Sequence, residues 1–329
     1  MKILVIGGTR FVGRHIVSEA LTRDHEVTIF HRGKTNPGLF DDAEEILGDR
    51  MSDLHRLDGR WDVVIDTCGY FPRAVRLSAE QLSDKVDAYV FISTISVYRE
   101  LSKEGIDESG YLKTLEDPKV EEVNPSNYGP LKTECEGVIK GKFSGRCLVV
   151  RPGVLAGPWD PTDRFSYWAW RVAAGGEVLA PQPRQAAVQL LDARDLARWL
   201  MGSIERNLRG TFNATGPSIS FEAMLDACKE GTDSDAWYNW VSRKFLEKTE
   251  LDTEQKMPLW NRDGQGRKAG LFAVNSDKAR AEGLVCRPLQ ETARDICRWC
   301  EEHLEDHDWQ VGLDLLEERE LLERWHQWE

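Results

Sequence analysis

A chain of 329 residues with 41% hydrophobic content is too long for one ordinary small core and suits a large α/β domain with a smaller lobe. Its 56 acidic residues against 43 Lys and Arg leave a formal charge of −13, which repels polyanions at long range and argues against broad nucleic-acid binding. Seven cysteines, odd in number and with only Cys297 and Cys300 close together, give neither a disulfide framework nor a zinc site; they read as buried thiols in a reducing compartment.

No window approaches the apolar length of a membrane helix, and the N-terminal apolar run stops at a glycine turn instead of continuing as a signal peptide. The expectation is a soluble, cytoplasmic protein. Ile3 to Ile6 are apolar and partly β-branched, as expected of a strand buried on both faces of a parallel sheet. Gly7 and Gly8 then let the backbone turn tightly and approach a pyrophosphate, and Gly13 lets the next helix pack close against the strand. Thr9, Arg10, Phe11 and Val12 fill out this turn, and the helix that follows would offer free N–H groups and the positive end of its dipole to phosphates. A second strand, Glu26 to His31, completes a βαβ unit. It ends in His31-Arg32-Gly-Lys34, where NAD-selective folds carry an acid that grips the ribose hydroxyls. Arg32 is placed to bond a 2′-phosphate, with Arg10 assisting, so NADP(H) is favoured and NAD(H) is the alternative; Lys34 reads as solvated.

Strand-like runs recur at Trp61–Asp66, Ala88–Ser93 and Arg146–Arg151 with helical stretches between them. This alternation predicts right-handed crossovers and a Rossmann-type doubly wound parallel sheet, an α/β fold. The segment Val90-Phe-Ile-Ser-Thr-Ile-Ser-Val-Tyr98 brings hydroxyls to the carboxyl end of the sheet, where ligands bind in open α/β folds; Ser93 and Ser96 also read as local capping residues. Tyr128-Gly-Pro-Leu-Lys132 sets a phenol and an ammonium on one face of a helix. A phenol near its usual pKa of about 10 is a poor base at neutral pH. The ammonium and an oxidised nicotinamide would lower it by about three units, about 4 kcal/mol of differential interaction, making Tyr128 a general base toward an alcohol or a general acid toward a ketone.

After Pro152 the texture changes to loops rich in Pro, Gly and Trp. Residues 1–155 are expected to form the dinucleotide-binding domain, with 188–215 returning to it through a helix at Leu191–Glu205 and a strand at Gly210–Ala214. Residues 156–187 and 216–304 would build a smaller C-terminal substrate lobe, and 305–329 a helical tail docked on that lobe, with a homodimer contact as the other reading. Trp159, Phe165, Tyr167, Trp168 and Trp170 cluster at the head of the lobe. One or two of them, Trp159 first, are expected to line a small-molecule pocket and the rest to be core.

The turn Gly-Gly-Thr-Arg-Phe-Val-Gly, the Val97-Tyr98 pair and the Tyr128–Lys132 spacing resemble the atypical extended short-chain dehydrogenase/reductases of the NAD-dependent epimerase/dehydratase family, the branch with chloroplast stem-loop-binding proteins and bacterial epimerase-like reductases. The glycine spacing typical of short-chain dehydrogenases would put a glycine where this chain has Arg10. The resemblance, over roughly residues 1–300, implies that Thr94, three residues before Val97, holds the substrate oxygen, that Tyr128 moves the proton and that Lys132 meets the cofactor ribose. It implies Asp49 at the adenine edge with Arg50 beside it, Cys68 and Gly69 along the ribose and diphosphate, and Ser93, Pro152, Gly153 and Val154 toward the nicotinamide. Tyr70, Ser96 and Trp159 would stand beside the substrate with Thr94 and Tyr128. The arginine that binds the diphosphate of sugar nucleotides in this family falls on Val188, which puts such a substrate in doubt, with Arg184 as a substitute in the adjoining loop. Asp195 is expected to cap or pack. The implied activity is an NAD(P)-dependent oxidoreductase or epimerase acting on an alcohol or ketone carbon of a small, sugar-like or other polar substrate. A non-catalytic nucleotide-sensing or RNA-binding protein on the same fold is the alternative, and the intact Thr94, Tyr128 and Lys132 together with the acidic charge favour the enzyme.

Overall fold

The apolar runs become strands and the stretches between them become helices. The computed structural model describes residues 1–117, 120–251, 253–261, 270–303 and 307–328. The strands are β1 (Lys2–Ile6), β2 (Glu26–His31), β3 (Glu44–Leu47), β4 (Trp61–Asp66), β5 (Val86–Ile92), β6 (Cys147–Pro152), β7 (Val154–Ala156), β8 (Glu177–Pro181), β9 (Ala187–Asp192), β10 (Gly210–Ala214), β11 (Ser218–Ser220) and β12 (Trp237–Val241). The helices are α1 (Phe11–Thr22), α2 (Pro72–Leu82), α3 (Tyr128–Lys142), α4 (Ser166–Ala173), α5 (Ala193–Glu205), α6 (Phe221–Thr232), α7 (Arg243–Lys248), α8 (Asp277–Ala281), α9 (Leu289–His303) and α10 (Leu315–His326).

Seven strands form the central sheet in the order β10-β6-β5-β4-β1-β2-β3, and each pairing is parallel. This is the doubly wound Rossmann-type architecture. Because helices cover both faces, the inner strands must be apolar throughout, and Ile3 to Ile6 and Val63 to Ile65 are buried without a break. On one face Ile16, Val17 and Ala20 of α1 pack with Leu196, Leu200 and Ile204 of α5. On the other, Val75, Ala79 and Leu82 of α2 meet Cys135 and Ile139 of α3. Burying such side chains stabilises by about 1.5–3 kcal/mol each.

Two elements differ from the sequence-based expectation. Strand β3, Glu-Glu-Ile-Leu, is a half-exposed edge strand and carries too few apolar residues to stand out as a run. The helix expected from Leu191 starts at Ala193, because Leu191 and Asp192 finish β9, which pairs with β7. Asp192 caps α5 by accepting from the Arg194 N–H, and Asp195 accepts from the backbone N–H and guanidinium of Arg287, pinning α5 to the segment ahead of α9.

The remaining elements gather around a second core of Phe165, Trp168, Phe221, Phe245 and Leu321. Here α10 docks through Leu321 and Leu322 and through a buried ion pair of Glu318 with Arg171. No helix among the described residues is long and apolar enough to cross a membrane.

Candidate active site

The carboxyl ends of β1, β2 and β4 open onto a cleft of about 560 Å³ lined by Gly7 to Gly13. Gly7 and Gly8 adopt φ of +102° and +93°, and a Cβ on Gly7 would come within 2.3 Å of the Thr67 hydroxyl oxygen. A Cβ on Gly13 would sit 2.8 Å from the Gly8 nitrogen, so glycine is required where the helix crosses the turn. Helices α5, α6, α7 and α10 are capped by Asp192, Ser220, Ser242 and Asp314, whereas α1 has no side-chain cap and no acid in its first turn. Its leading N–H groups therefore lack a side-chain acceptor at the mouth of the cleft, an arrangement that takes phosphate. Thr9, Phe11 and Val12 line this turn, Arg10, Arg32 and Lys34 bring cations to the lining, and Asp49, Cys68 and Tyr70 border it. These residues fit a dinucleotide. Phe71 and Pro161 also line the cleft and are not among the expected contacts; neither type carries a sequence signal for such a role.

Arg50 lines the cleft beside Asp49 and is also held from below. Its Nη1 and Nη2 donate to the two oxygens of Asp66 at 2.9 and 2.8 Å, and Nη2 also donates to the Ser78 hydroxyl. The guanidinium thus clamps β4 to α2 while the residue also lines the cleft. Burial opposes ionisation of Asp66, yet Arg50 beside it holds the carboxyl below its usual range.

Thr94 and Tyr128 are brought together. The Thr94 side chain accepts from the Ser96 N–H at 3.1 Å and lies beside the Tyr128 phenol, near enough to pull its pKa down. Lys132, one turn along α3, is buried and donates to the carbonyl oxygens of Gly69 and Ile92 at 2.8 and 2.7 Å, with its ammonium 4.0 Å from the Phe91 ring centre. This corrects the expectation for the phenol, because the ammonium is held by two carbonyls and Tyr128 is not among its partners. Burial, with Tyr70 nearby, pushes the Tyr128 phenol up to about 12, against the downward pull of Thr94 and the Arg164 guanidinium. Burial lowers Lys132 to about 8.

Three further expectations are corrected. Ser93 turns its hydroxyl to Glu136 at 2.7 Å and is buried, so its side chain supports α3 and does not face the cleft. Trp159, at φ +69°, is packed between Arg14, 3.7 Å from its ring centre, and Trp299 and His303, while Phe165, Tyr167 and Trp168 are core. Arg184 pairs with Glu222 and lies over Trp240, and Val188 is buried in β9. Pro152, Gly153 and Val154 carry the chain from β6 into β7, where Gly153 passes against Thr215 and Ile95.

The sequence reading missed a buried network beneath these residues. Arg151 donates to both oxygens of Glu136 at 2.9 and 2.7 Å and to the Tyr98 hydroxyl at 3.0 Å, and Tyr98 donates to Asn213 at 2.6 Å. Glu136 stands one helical turn beyond Lys132, and that spacing is the signal that could have revealed it.

Replacing Lys132 with methionine is expected to weaken cofactor binding and to alter the alkaline stability profile. The native lysine titrates near 8, below its ordinary 10.5, so folding carries a cost at neutral pH that disappears between those values. Native protein should therefore gain stability relative to Lys132→Met as pH rises from 8 to 10.5, measured by denaturant unfolding. A constant difference would mean that the ammonium is not buried as described.

Residues 3–67 match the model of the NAD dependent epimerase/dehydratase family. Over 252 residues the chain is 27% identical to the chloroplast stem-loop binding protein of 41 kDa b of Arabidopsis thaliana, a match spanning 69% of this chain and 62% of that protein. UDP-glucose 4-epimerase of Thermotoga maritima, solved with UDP-glucose, superposes with a TM-score of 0.66 at 16% identity, covering 92% of this chain and 100% of that one. UDP-glucuronic acid 4-epimerase of Bacillus cereus, solved with NAD, gives 0.66 at 17% identity over 95% and 100%. The first strand-turn-helix thus resembles that family's model, and the overall fold is similar to that of these two epimerases.

Proposed function

We propose that the protein is an NAD(P)-dependent oxidoreductase or epimerase acting at an alcohol or ketone carbon of a small polar substrate. The observation that carries this reading is the Thr94 side chain beside the Tyr128 phenol, with Lys132 one turn further along the same helix as Tyr128. When bound, the nicotinamide gives or takes a hydride. Thr94 holds the substrate oxygen, and Tyr128, whose phenol keeps its proton at neutral pH, donates it to a ketone; in the reverse direction the Arg164 charge favours the phenolate that receives it. Lys132 holds the Gly69 and Ile92 carbonyls and would meet the ribose of a bound cofactor. Residues 1–155 and 188–215 are assigned to the cofactor and 156–187 and 216–304 to the substrate. With a charge of −13, RNA affinity should be weak and fall steeply with salt; a tight, salt-resistant stem-loop complex would overturn the enzyme reading.

For the cofactor, exposed Arg32 replaces the acid that grips ribose hydroxyls, with Arg10 across the same cleft. A charge-assisted contact contributes about 1.5–3 kcal/mol, so NADP(H) should bind roughly ten to a hundred times more tightly than NAD(H). Arg32→Ala should remove most of that difference when the purified protein is titrated with both. Equal affinities in the native protein, or tighter NAD(H), would assign the cofactor the other way.

A further inference from the structure

Tyr128 borders a second cavity, of about 530 Å³, which shares no lining residue with the dinucleotide cleft. Ser96, Arg99, Lys113 and Asn124 supply polar groups to it, with Val123 and Leu271 on its apolar side. Acids outnumber bases in the chain, yet no carboxylate is among the described residues lining this cavity. Arg99 is exposed, and its guanidinium has no ion pair or hydrogen bond among the described residues. The Lys113 stem lies along the start of α3, where a Cβ on Gly129 would come 3.1 Å from its Cδ. The 15-residue helix α3 begins at this wall without a side-chain cap and with no acid in its first turn. The exposed Arg99 guanidinium and the positive end of a helix dipole therefore border the same cavity as the phenol.

We propose that this cavity takes a negatively charged group of the substrate, a phosphate or a carboxylate, with Arg99 recognising the charge while the reacting carbon lies at Thr94 and Tyr128. The proposal rests on the reading of Tyr128 as proton carrier. It moves anion recognition away from β9, where Val188 is buried and Arg184 is taken up by Glu222, to the segment that follows Tyr98. The substrate class becomes an alcohol or ketone that bears an oxyanion within one cavity length of the reacting carbon.

The test titrates inorganic phosphate and malonate, separately, into the NADP(H)-saturated protein, following tryptophan fluorescence and heat of binding. Saturable binding of at least one anion, weakened about tenfold by Arg99→Ala with NADP(H) affinity unchanged, supports the site, and the anion that binds distinguishes phosphate from carboxylate recognition. Arg99→Lys should restore part of the affinity, as a structural role for the guanidinium would not. Binding of neither anion, equal binding to Arg99→Ala, or competition of the anion with NADP(H) overturns the proposal. If NADP(H) itself does not bind, the proposed function fails separately. The same titrations on the cofactor-free protein then decide the anion site, an Arg99-dependent affinity supporting it and any other result overturning it.

Discussion

Tyr128→Phe should lower turnover by about a thousandfold, within the 10²–10⁴ range of a lost general acid or base and equivalent to about 4 kcal/mol of barrier. Only a hydroxyl is removed. The ring, α3 and Lys132 remain, and the glycine turn is formed by other elements, so cofactor affinity should stay near the native value. Thr94 keeps its bond from the Ser96 N–H and remains placed to hold the substrate oxygen. The comparison requires steady-state rates on any alcohol or ketone that the native protein turns over, together with a fluorescence titration of the cofactor. A variant keeping more than about a tenth of native turnover would remove Tyr128 from the chemistry. A variant that loses cofactor binding as well would show that the phenol is structural.

The second large effect concerns stability. Arg151→Met would leave the Glu136 carboxylate 1% exposed with only Lys140 and Ser93 as partners, and removing one member of a buried pair costs about 3–5 kcal/mol. Burial opposes the Glu136 charge, yet Arg151 holds the carboxyl below its ordinary 4.5. The native protein's margin over the variant should therefore be complete above pH 4.5 and shrink as pH falls below it, because a protonated Glu136 loses less when Arg151 is gone. Urea unfolding at pH 7 and at pH 4 reads both quantities. Adding Glu136→Met to Arg151→Met should recover most of the loss, since two apolar side chains can fill the volume of a buried pair. A single variant as stable as the native protein would show that the network is dispensable.

Much of the fold is legible because parallel strands buried on both faces have to be apolar throughout. Ile3 to Ile6 and Trp61 to Asp66 therefore emerge from the sequence close to their observed limits. The same rule hides β3, which lies at the sheet edge and begins with two glutamates. Glycines and spacings locate the turn and the Tyr128–Lys132 face because those features are local. Directions of long side chains are not local. Arg50 lines the cleft as its position suggests, but its anchoring by Asp66, 16 residues away in sequence, is not announced by any local pattern. Ser93 is diverted by Glu136, and Trp159 by Arg14 of α1. Lys132 stands where the spacing puts it, but the carbonyls that hold its ammonium belong to backbone that no side-chain pattern announces.

The origin of β10 has a consequence for how the chain can be divided. It forms one border of the central sheet beside β6, yet it comes from residues 210–214, after the chain has already contributed Phe165 and Trp168 to the second core. A fragment stopping at residue 155 would contain every element of the nucleotide turn but would leave Leu148 to Val150 with an unsatisfied row of backbone groups. It would also bare Ile16 and Val17 of α1, which α5 covers in the whole protein. Such a fragment should self-associate through that apolar border, and extending it to residue 215 should restore solubility only if the intervening segment folds with it.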